Sequence, residues 1–137
     1  MSADDNRALV RRLLERVAKG WTPDVIEEFF APDYRRYLNP HTPPLTREGQ
    51  RARASRLRAA FPDATATLED IVAAGDRVVY RLTIRGTHRA EFQGIPATGR
   101  HVTVSFLGIV RIAEGKLVEE WGGLDLFDLR TQLQAPA

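Results

Sequence analysis

Residues 77–92, RVVYRLTIRGTHRAEF, alternate apolar and polar side chains over a length that fits one long β-strand. Residues 101–112, HVTVSFLGIVRI, repeat the alternation, and residues 115–127, GKLVEEWGGLDLF, continue it after a tight turn. Upstream, residues 64–76, ATATLEDIVAAGD, alternate and end in a Gly-Asp turn. Because short turns join antiparallel neighbours, the second half of the chain predicts a four-strand antiparallel meander.

The first half of the chain has the period of helices. Leucines and valines recur at helical spacing in residues 9–17. Acidic residues precede this segment, and Gly20 follows it as the expected end of the helix. Residues 22–32 begin with a Thr-Pro-Asp capping pattern and end at a proline, and a third helix is expected after Thr46. The intervening loop at residues 35–46, RRYLNPHTPPLT, carries three prolines, which argue against regular structure there.

Helices followed by strands predict an α+β fold, in which a curved, mostly antiparallel sheet wraps around three N-terminal helices. Glycines inside the strands allow bending, and a bent sheet over helices forms a cone with an internal apolar pocket. With no linker and no repeat, residues 1–137 are expected to form a single domain. The expected core consists of Leu13, Leu14, Val17, Phe29, Phe30, Leu57, Val79 or Tyr80, Val104, Phe106 and Trp121.

The composition excludes several classes of function. The chain has no cysteine, so disulfides, thiolate nucleophiles and cysteine metal sites are excluded. No segment is apolar enough to span a bilayer and no signal core is present, so we expect a cytoplasmic protein without a membrane partner. The arginine-rich residues 47–58 lack interleaved aromatic rings, which favours a solvated helix face over a nucleic-acid site. The histidines lack metal-site spacing, so no metal is expected.

Three stretches carry a family resemblance: FAPDY at residues 30–34, residues 59–104, and RIAEGKLVEEWGGLDLFDLRTQL at residues 111–133. In these the chain resembles the SnoaL-like polyketide cyclases, within the nuclear transport factor 2-like fold superfamily. The resemblance implies a homodimer with a deep pocket, no metal or organic cofactor, and a hydrophobic polyketide-like substrate. It also implies an enzyme of secondary metabolism, such as antibiotic biosynthesis, that closes a ring by intramolecular aldol addition.

The last strand carries the expected base. Counting by twos places Glu119, Trp121, Gly123 and Asp125 on one face, and Asp125 matches the aspartate that abstracts a proton in the family. A carboxylate that faces an apolar pocket loses solvation, which strengthens it as a base. The alternative is that Asp125 caps the terminal helical turn or reaches solvent, which would favour a ligand-binding module over an enzyme.

The polar partners of the family's base are replaced here. Phe106 and Gly108 occupy the inward positions of the preceding strand, where Phe106 makes the pocket more apolar and Gly108 widens it. Arg81 is a substitute for stabilising the oxyanion if it points inward, the alternative being an outward arginine paired with a glutamate of the last strand. Tyr37 is a second substitute, and its alternative is a core ring with a solvated hydroxyl.

Substrate contacts are also expected from Phe30, from Trp121 and from His41, which could cover the pocket mouth from the proline-rich loop. Trp21 and Trp121 are interpreted mainly as core residues, and His88 and His101 mainly as surface residues. Without the usual polar partner, the pocket could instead serve dehydration, isomerisation, epoxide opening or assisted hydroxylation, or a non-catalytic ligand-binding dimer. Apolar residues on both faces of residues 102–110 predict a homodimer through the outer face of the sheet.

Overall fold

A computed structural model describes residues 1–19 and 22–136. The fold is the predicted α+β class, with a curved sheet of mixed strand direction. In chain order its elements are α1 (Ala3–Ala18), α2 (Pro23–Phe29), β1 (Phe30–Tyr37), α3 (Arg47–Ala60), β2 (Thr65–Ala74), β3 (Arg77–Thr87), β4 (His101–Ala113), β5 (Lys116–Leu124) and α4 (Leu126–Gln134).

The sheet has the order β1-β5-β4-β3-β2, and its last four members form the predicted antiparallel meander. β1 was not predicted: it adds to the open edge of the meander, parallel to β5. The proline inside this strand, Pro32, falls where the pairing with β5 is interrupted between Phe30 and Arg35, so no ladder hydrogen bond is lost. The expectation that all three helices precede the strands is therefore wrong, because β1 separates α2 from α3.

Helix starts follow the capping residues. Ser2 caps α1 in a capping box with Asp5, and Thr46 caps α3 by accepting a hydrogen bond from the Gly49 amide at 3.1 Å. Thr22 occupies the N-cap position of α2, but its side chain makes no capping hydrogen bond. The predicted stop at Gly20 and the predicted core residue Trp21 lie outside the described residues.

The core lies between the helices and one face of the sheet, in two apolar clusters. Five predicted core residues are buried, namely Leu13, Phe29, Phe30, Tyr80 and Val104. Four pack against the clusters while partly exposed, namely Leu14, Val17, Leu57 and Phe106. Of the pair left open by the sequence, Tyr80 points inward and Val79 outward.

A β-bulge at Val118 decides which side chains of β5 face the helices. Arg111 of β4 pairs with Glu119, but the next residue, Ile112, pairs with Leu117, so Val118 is an extra residue. Because side chains alternate along a strand, one extra residue moves all later side chains to the opposite face.

The bulge reverses the predicted orientation of the second half of β5. Leu117 faces the core before the bulge, and Glu120 faces it after the bulge. Trp121 therefore points to the outer face of the sheet, where its ring stacks on that of Tyr37 at 5.6 Å. The prediction that Trp121 and Asp125 share the inner face is wrong for this reason.

Candidate functional site

A cavity of about 450 Å³ lies between the sheet and the helices α1 and α3. Its walls are mainly apolar and include Leu14, Phe30, Leu57, Leu82, Val104 and Phe106. A group of polar side chains interrupts this lining: Arg36, Gln50, Arg53, Tyr80 and Glu120. An apolar cavity with a few convergent polar groups is the usual form of a small-molecule site.

Glu120 is at the centre of these polar groups and is only 3% exposed. Its Oε1 accepts a hydrogen bond from the hydroxyl of Tyr34 at 2.5 Å, and its Oε2 accepts one from the hydroxyl of Tyr80 at 2.5 Å. Arg36 Nη1 lies 3.0 Å from Oε1. We call these four side chains, Tyr34, Arg36, Tyr80 and Glu120, the carboxylate cluster. Its hydrogen bonds join β1, β3 and β5 across the sheet.

The tyrosines of the cluster stay protonated. Burial raises the pKa of Tyr80 well above its ordinary value, and the nearby charge of Glu120 raises it further. The same two causes, in the same order, raise the pKa of Tyr34. Both hydroxyls therefore remain hydrogen-bond donors to Glu120 at neutral pH.

Arg36 connects the cluster to the end of β5. Its Nη2 donates to the carbonyl oxygen of Gly122 at 2.9 Å, and its guanidinium lies 5.4 Å from the centre of the Phe106 ring. Burial is the largest single effect and lowers the pKa of Arg36, but the effects of Glu120, Tyr34 and Tyr80 together outweigh it, so the pKa is raised overall. Its Nε is buried and has no hydrogen-bond partner in the described part of the chain.

Arg53 brings a second cation to the cavity from α3. A Cβ placed on Gly123 would lie 2.9 Å from Arg36 Nη2 and 3.9 Å from Arg53 Nη2, so the two guanidinium groups converge. Burial, and then the charge of Arg36, lower the pKa of Arg53 to about 10. This differs from the solvated face predicted for residues 47–58, since Arg53 and Arg58 of that helix line the cavity. Arg53 remains charged at neutral pH.

Asp125 does not line the cavity. It is exposed, and it occupies the N-cap position of α4, where its Oδ1 accepts a hydrogen bond from the Asp128 amide at 3.0 Å. The predicted inward orientation is therefore wrong, and the alternative of a helix cap describes its position. Its two chain neighbours are closer to the interior, because Leu124 lines the cavity and Leu126 lines a second hollow beside α3.

The two predicted oxyanion partners also face away from the cavity. Arg81 is exposed and forms an ion pair at 2.8 Å with Asp70 of β2, not with a glutamate of β5. The ring of Tyr37 stacks on Trp121 at the outer face. In each case the adjacent residue in the sequence, Tyr80 or Arg36, points into the cavity instead.

The predicted substrate contacts divide between the two faces. Phe30 and Phe106 line the cavity as expected. Gly108 does not widen it: an added Cβ would lie 2.8 Å from Cζ of Tyr80, so the tyrosine ring fills the space that the glycine leaves. Trp121 lies outside under the guanidinium of Arg77 at 5.1 Å, and His41 is exposed and does not line the cavity.

The sequence did not predict the burial of one histidine. His88, predicted at the surface, is fully buried, and its Nδ1 lies 2.9 Å from the Thr98 hydroxyl. Within residues 1–19 and 22–136, no group of three or more histidine, aspartate and glutamate side chains could hold a metal ion. In the same ranges no helix is long and apolar enough to cross a membrane.

Glu120 could have been found as one of two consecutive carboxylates in a strand, but the choice between them depends on the bulge.

Comparisons with known proteins agree with this architecture. The family model of the SnoaL-like polyketide cyclases matches residues 8–133. Over 135 residues the chain is 33% identical to the aklanonic acid methyl ester cyclase DnrD of Streptomyces peucetius, covering 93% of this chain and 90% of that protein. The crystal structure of a SnoaL-like protein from Jannaschia sp. CCS1 superposes with a TM-score of 0.88 at 25% identity, over 98% of this chain and 95% of that one. The structure of IdmH from Streptomyces antibioticus gives a TM-score of 0.80 at 35% identity, with coverages of 93% and 97%.

Proposed function

The chain belongs to the SnoaL-like polyketide cyclase family, and on that basis we propose that it closes a ring in a hydrophobic, polyketide-type carbonyl substrate by intramolecular aldol addition. The observation that carries this proposal is the cavity itself, whose apolar wall is interrupted by three members of the carboxylate cluster, Arg36, Tyr80 and Glu120, and by Arg53. An apolar wall suits the carbon skeleton of such a substrate, and the cationic groups suit the oxygen on which negative charge develops.

The proposed reaction needs only proton transfers and one new carbon–carbon bond. A base removes the acidic proton between two carbonyl groups, which leaves an enolate. The enolate carbon attacks a second carbonyl of the same molecule, and the resulting alkoxide takes up a proton. No electrons are gained or lost overall, so we propose that the enzyme works without a metal or an organic cofactor.

We assign the base to Asp125, because it matches the catalytic aspartate implied by the family resemblance. One oxygen of Asp125 caps α4, so the assignment requires the side chain to leave the cap and turn past Leu124 when substrate binds. Catalytic hydrogen bonds often form only in the substrate complex, so the free structure is compatible with this movement. The rival base is Glu120, but each of its oxygens already accepts a hydrogen bond from a tyrosine.

We assign stabilisation of the enolate oxygen to Arg36 in place of Arg81 and Tyr37. Arg36 lines the cavity, and its buried Nε–H has no partner in the described residues. An unpartnered donor fixed in a partly apolar cavity is well placed to bind a developing oxyanion. Arg36 also donates a hydrogen bond to the carbonyl oxygen of Gly122, which precedes Asp125 by three residues.

The test is ring closure of aklanonic acid methyl ester and of the corresponding free acid, followed by chromatography and mass spectrometry, together with proton exchange at the acidic carbon in D₂O. Asp125→Asn removes the basic oxygen but keeps the cap, and it should lower both rates by at least about 10²-fold. Asp128→Asn, one turn along α4, is the matched control and should retain both rates.

The outcomes separate the alternatives. Wild-type rates in Asp125→Asn would refute the base assignment, and a folded Glu120→Gln without exchange activity would transfer the role to Glu120. A product that has lost water would replace ring closure by dehydration, one that has gained water would replace it by epoxide opening, and one that has gained an oxygen atom would replace it by hydroxylation in the same cavity. If the wild-type protein catalyses neither ring closure nor exchange, the aldol proposal fails for this substrate class.

We further propose that the enzyme is a homodimer through the outer face of the sheet. Val72, Val79, Ile109, Trp121 and Tyr37 lie opposite one another in consecutive strands and form one apolar row across all five strands. Val72 is 61% exposed, and the adjacent Leu107 is 54% exposed. A contiguous apolar surface of this kind favours a second copy of the same sheet as its cover.

A further inference from the structure

Arg53 differs from the two arginines that precede it on α3. Arg47 and Arg51 of the same helix both pair with Glu27 of α2 at the surface. Arg53 lines the cavity, and no carboxylate lies within ion-pair distance of it in the described part of the chain. Arg53 is partly buried, and withdrawing a cation from water without a counter-ion is costly, so this position points to an anion that is supplied from outside.

The charges around Arg53 do not cancel. Arg36 and Arg53 converge near Gly123, and Glu120 is the carboxylate that pairs with Arg36. Since Arg36 and Glu120 neutralise each other, one positive charge is left on Arg53. Its pKa of about 10, lowered by burial and then by Arg36, keeps that charge in place at neutral pH.

Gln50 is a second unsatisfied group beside Arg53. It precedes Arg53 by three residues on α3, which places the two side chains on the same face of the helix. Gln50 is only 5% exposed and lines the cavity, and its buried Oε1 accepts no hydrogen bond from the described residues. Buried acceptors are normally satisfied, so this oxygen calls for a donor on a ligand.

We propose that Arg53 and Gln50 form a recognition subsite for a substrate that carries a free carboxylate and a hydroxyl group on its hydrophobic skeleton. Arg53 binds the carboxylate, and Gln50 Oε1 accepts the hydrogen bond of the hydroxyl. The curated relative DnrD is named for a methyl ester, whereas this subsite selects the acid. The inference rests on the proposed function insofar as the cavity is the substrate site.

The test measures binding by calorimetry with 2-naphthoate and its methyl ester, two probes of the same shape that differ in charge. The wild-type protein should bind the acid about 10- to 100-fold more tightly than the ester, as expected for a hydrogen bond to a charged group. Arg53→Met should abolish this preference by weakening acid binding while ester binding stays the same. Arg56→Met, an exposed arginine one turn along α3 that does not line the cavity, should leave the preference intact.

A second pair of probes tests Gln50. The wild-type protein should bind 4-hydroxy-2-naphthoate more tightly than 2-naphthoate, and Gln50→Leu should remove that difference without changing the preference for acid over ester. Melting temperatures of Arg53→Met and Gln50→Leu at or above that of the wild type would show that both variants are folded, since neither change breaks a hydrogen bond seen in the structure.

Equal binding of acid and ester by the wild-type protein, or a preference that survives Arg53→Met, would overturn the subsite. These results do not depend on turnover. A preference for the acid without ring closure would refute the proposed reaction but support the subsite. Ring closure without that preference would support the proposed reaction but refute the subsite.

Discussion

The hydroxyl of Tyr80, on β3, donates a hydrogen bond to Oε2 of Glu120, two strands away on β5. Gly108 lies between them on β4, opposite Tyr80 and Gly122 in the register, and it leaves the room that the tyrosine ring needs to reach across. The carboxylate cluster therefore depends on one carboxylate and one glycine, and both can be tested by substitution.

Glu120→Gln should strongly destabilise the protein. It removes the negative charge that faces Arg36 and Arg53 and leaves two cations close together in the interior. Loss of one partner of a buried ion pair costs about 3–5 kcal/mol. The free energy of unfolding, measured by urea denaturation, should fall by that amount.

Glu119→Gln is the matched control, because Glu119 is adjacent in the sequence but pairs with Arg111 while both side chains remain partly exposed. Its loss should cost less than about 1 kcal/mol. Equal effects of the two substitutions would contradict the assignment of Glu120 to the interior.

Gly108→Ala should destabilise the protein although the change adds a single methyl group. The new Cβ would lie 2.8 Å from Cζ and 2.9 Å from the hydroxyl oxygen of Tyr80, so the ring must move away from Glu120. Overpacking of this kind costs about 1–3 kcal/mol of unfolding free energy, which urea denaturation measures.

Gly49→Ala is the control. Gly49 lies in the first turn of α3 with ordinary contacts, and alanine should be neutral or stabilising there. A neutral Gly108→Ala would show that the space beside Tyr80 is not filled.

The sequence predicted most of the fold because its main signals are local. Alternation identified the four strands of the meander, and the cap at Thr46 placed the start of α3. β1 was not predicted because a short segment that contains a proline is typical of a loop. The interruption in the pairing of β1 with β5, which accommodates the proline, is not visible in the sequence.

The site was less predictable because it depends on the register of β5. The extra residue at Val118 is a property of the pairing between two strands, and no composition rule reveals it. When the bulge is ignored, counting by twos predicts that Trp121 and Asp125 face inward, whereas in the structure Glu120 faces inward. Arg36 and Arg53 are long, polar side chains that a sequence pattern normally assigns to the surface.

The outer face of the sheet gives a prediction for assembly. Ile109→Lys places a charge in the middle of the apolar row and should convert a dimer into a monomer, as measured by light scattering at micromolar concentration. Phe127→Lys is the control: Phe127 is 84% exposed on α4 and is not part of the apolar row, so its replacement should leave the dimer intact. A monomeric wild-type protein, or a dimer that tolerates Ile109→Lys, would contradict assembly through this face.

The last prediction separates the two roles of Asp125. As the N-cap of α4, its Oδ1 accepts the hydrogen bond of the Asp128 amide, and asparagine can accept the same bond. Asp125→Ala removes the cap and should lower the free energy of unfolding by about 1 kcal/mol, whereas Asp125→Asn should leave it nearly unchanged. If the residue is also the base, the two variants should lose proton exchange equally despite their different stabilities. If it is only a cap, exchange should survive in both variants at a temperature where both are folded, and urea denaturation alone should distinguish them. Equal stability of the two variants would instead show that the capping hydrogen bond contributes nothing to α4.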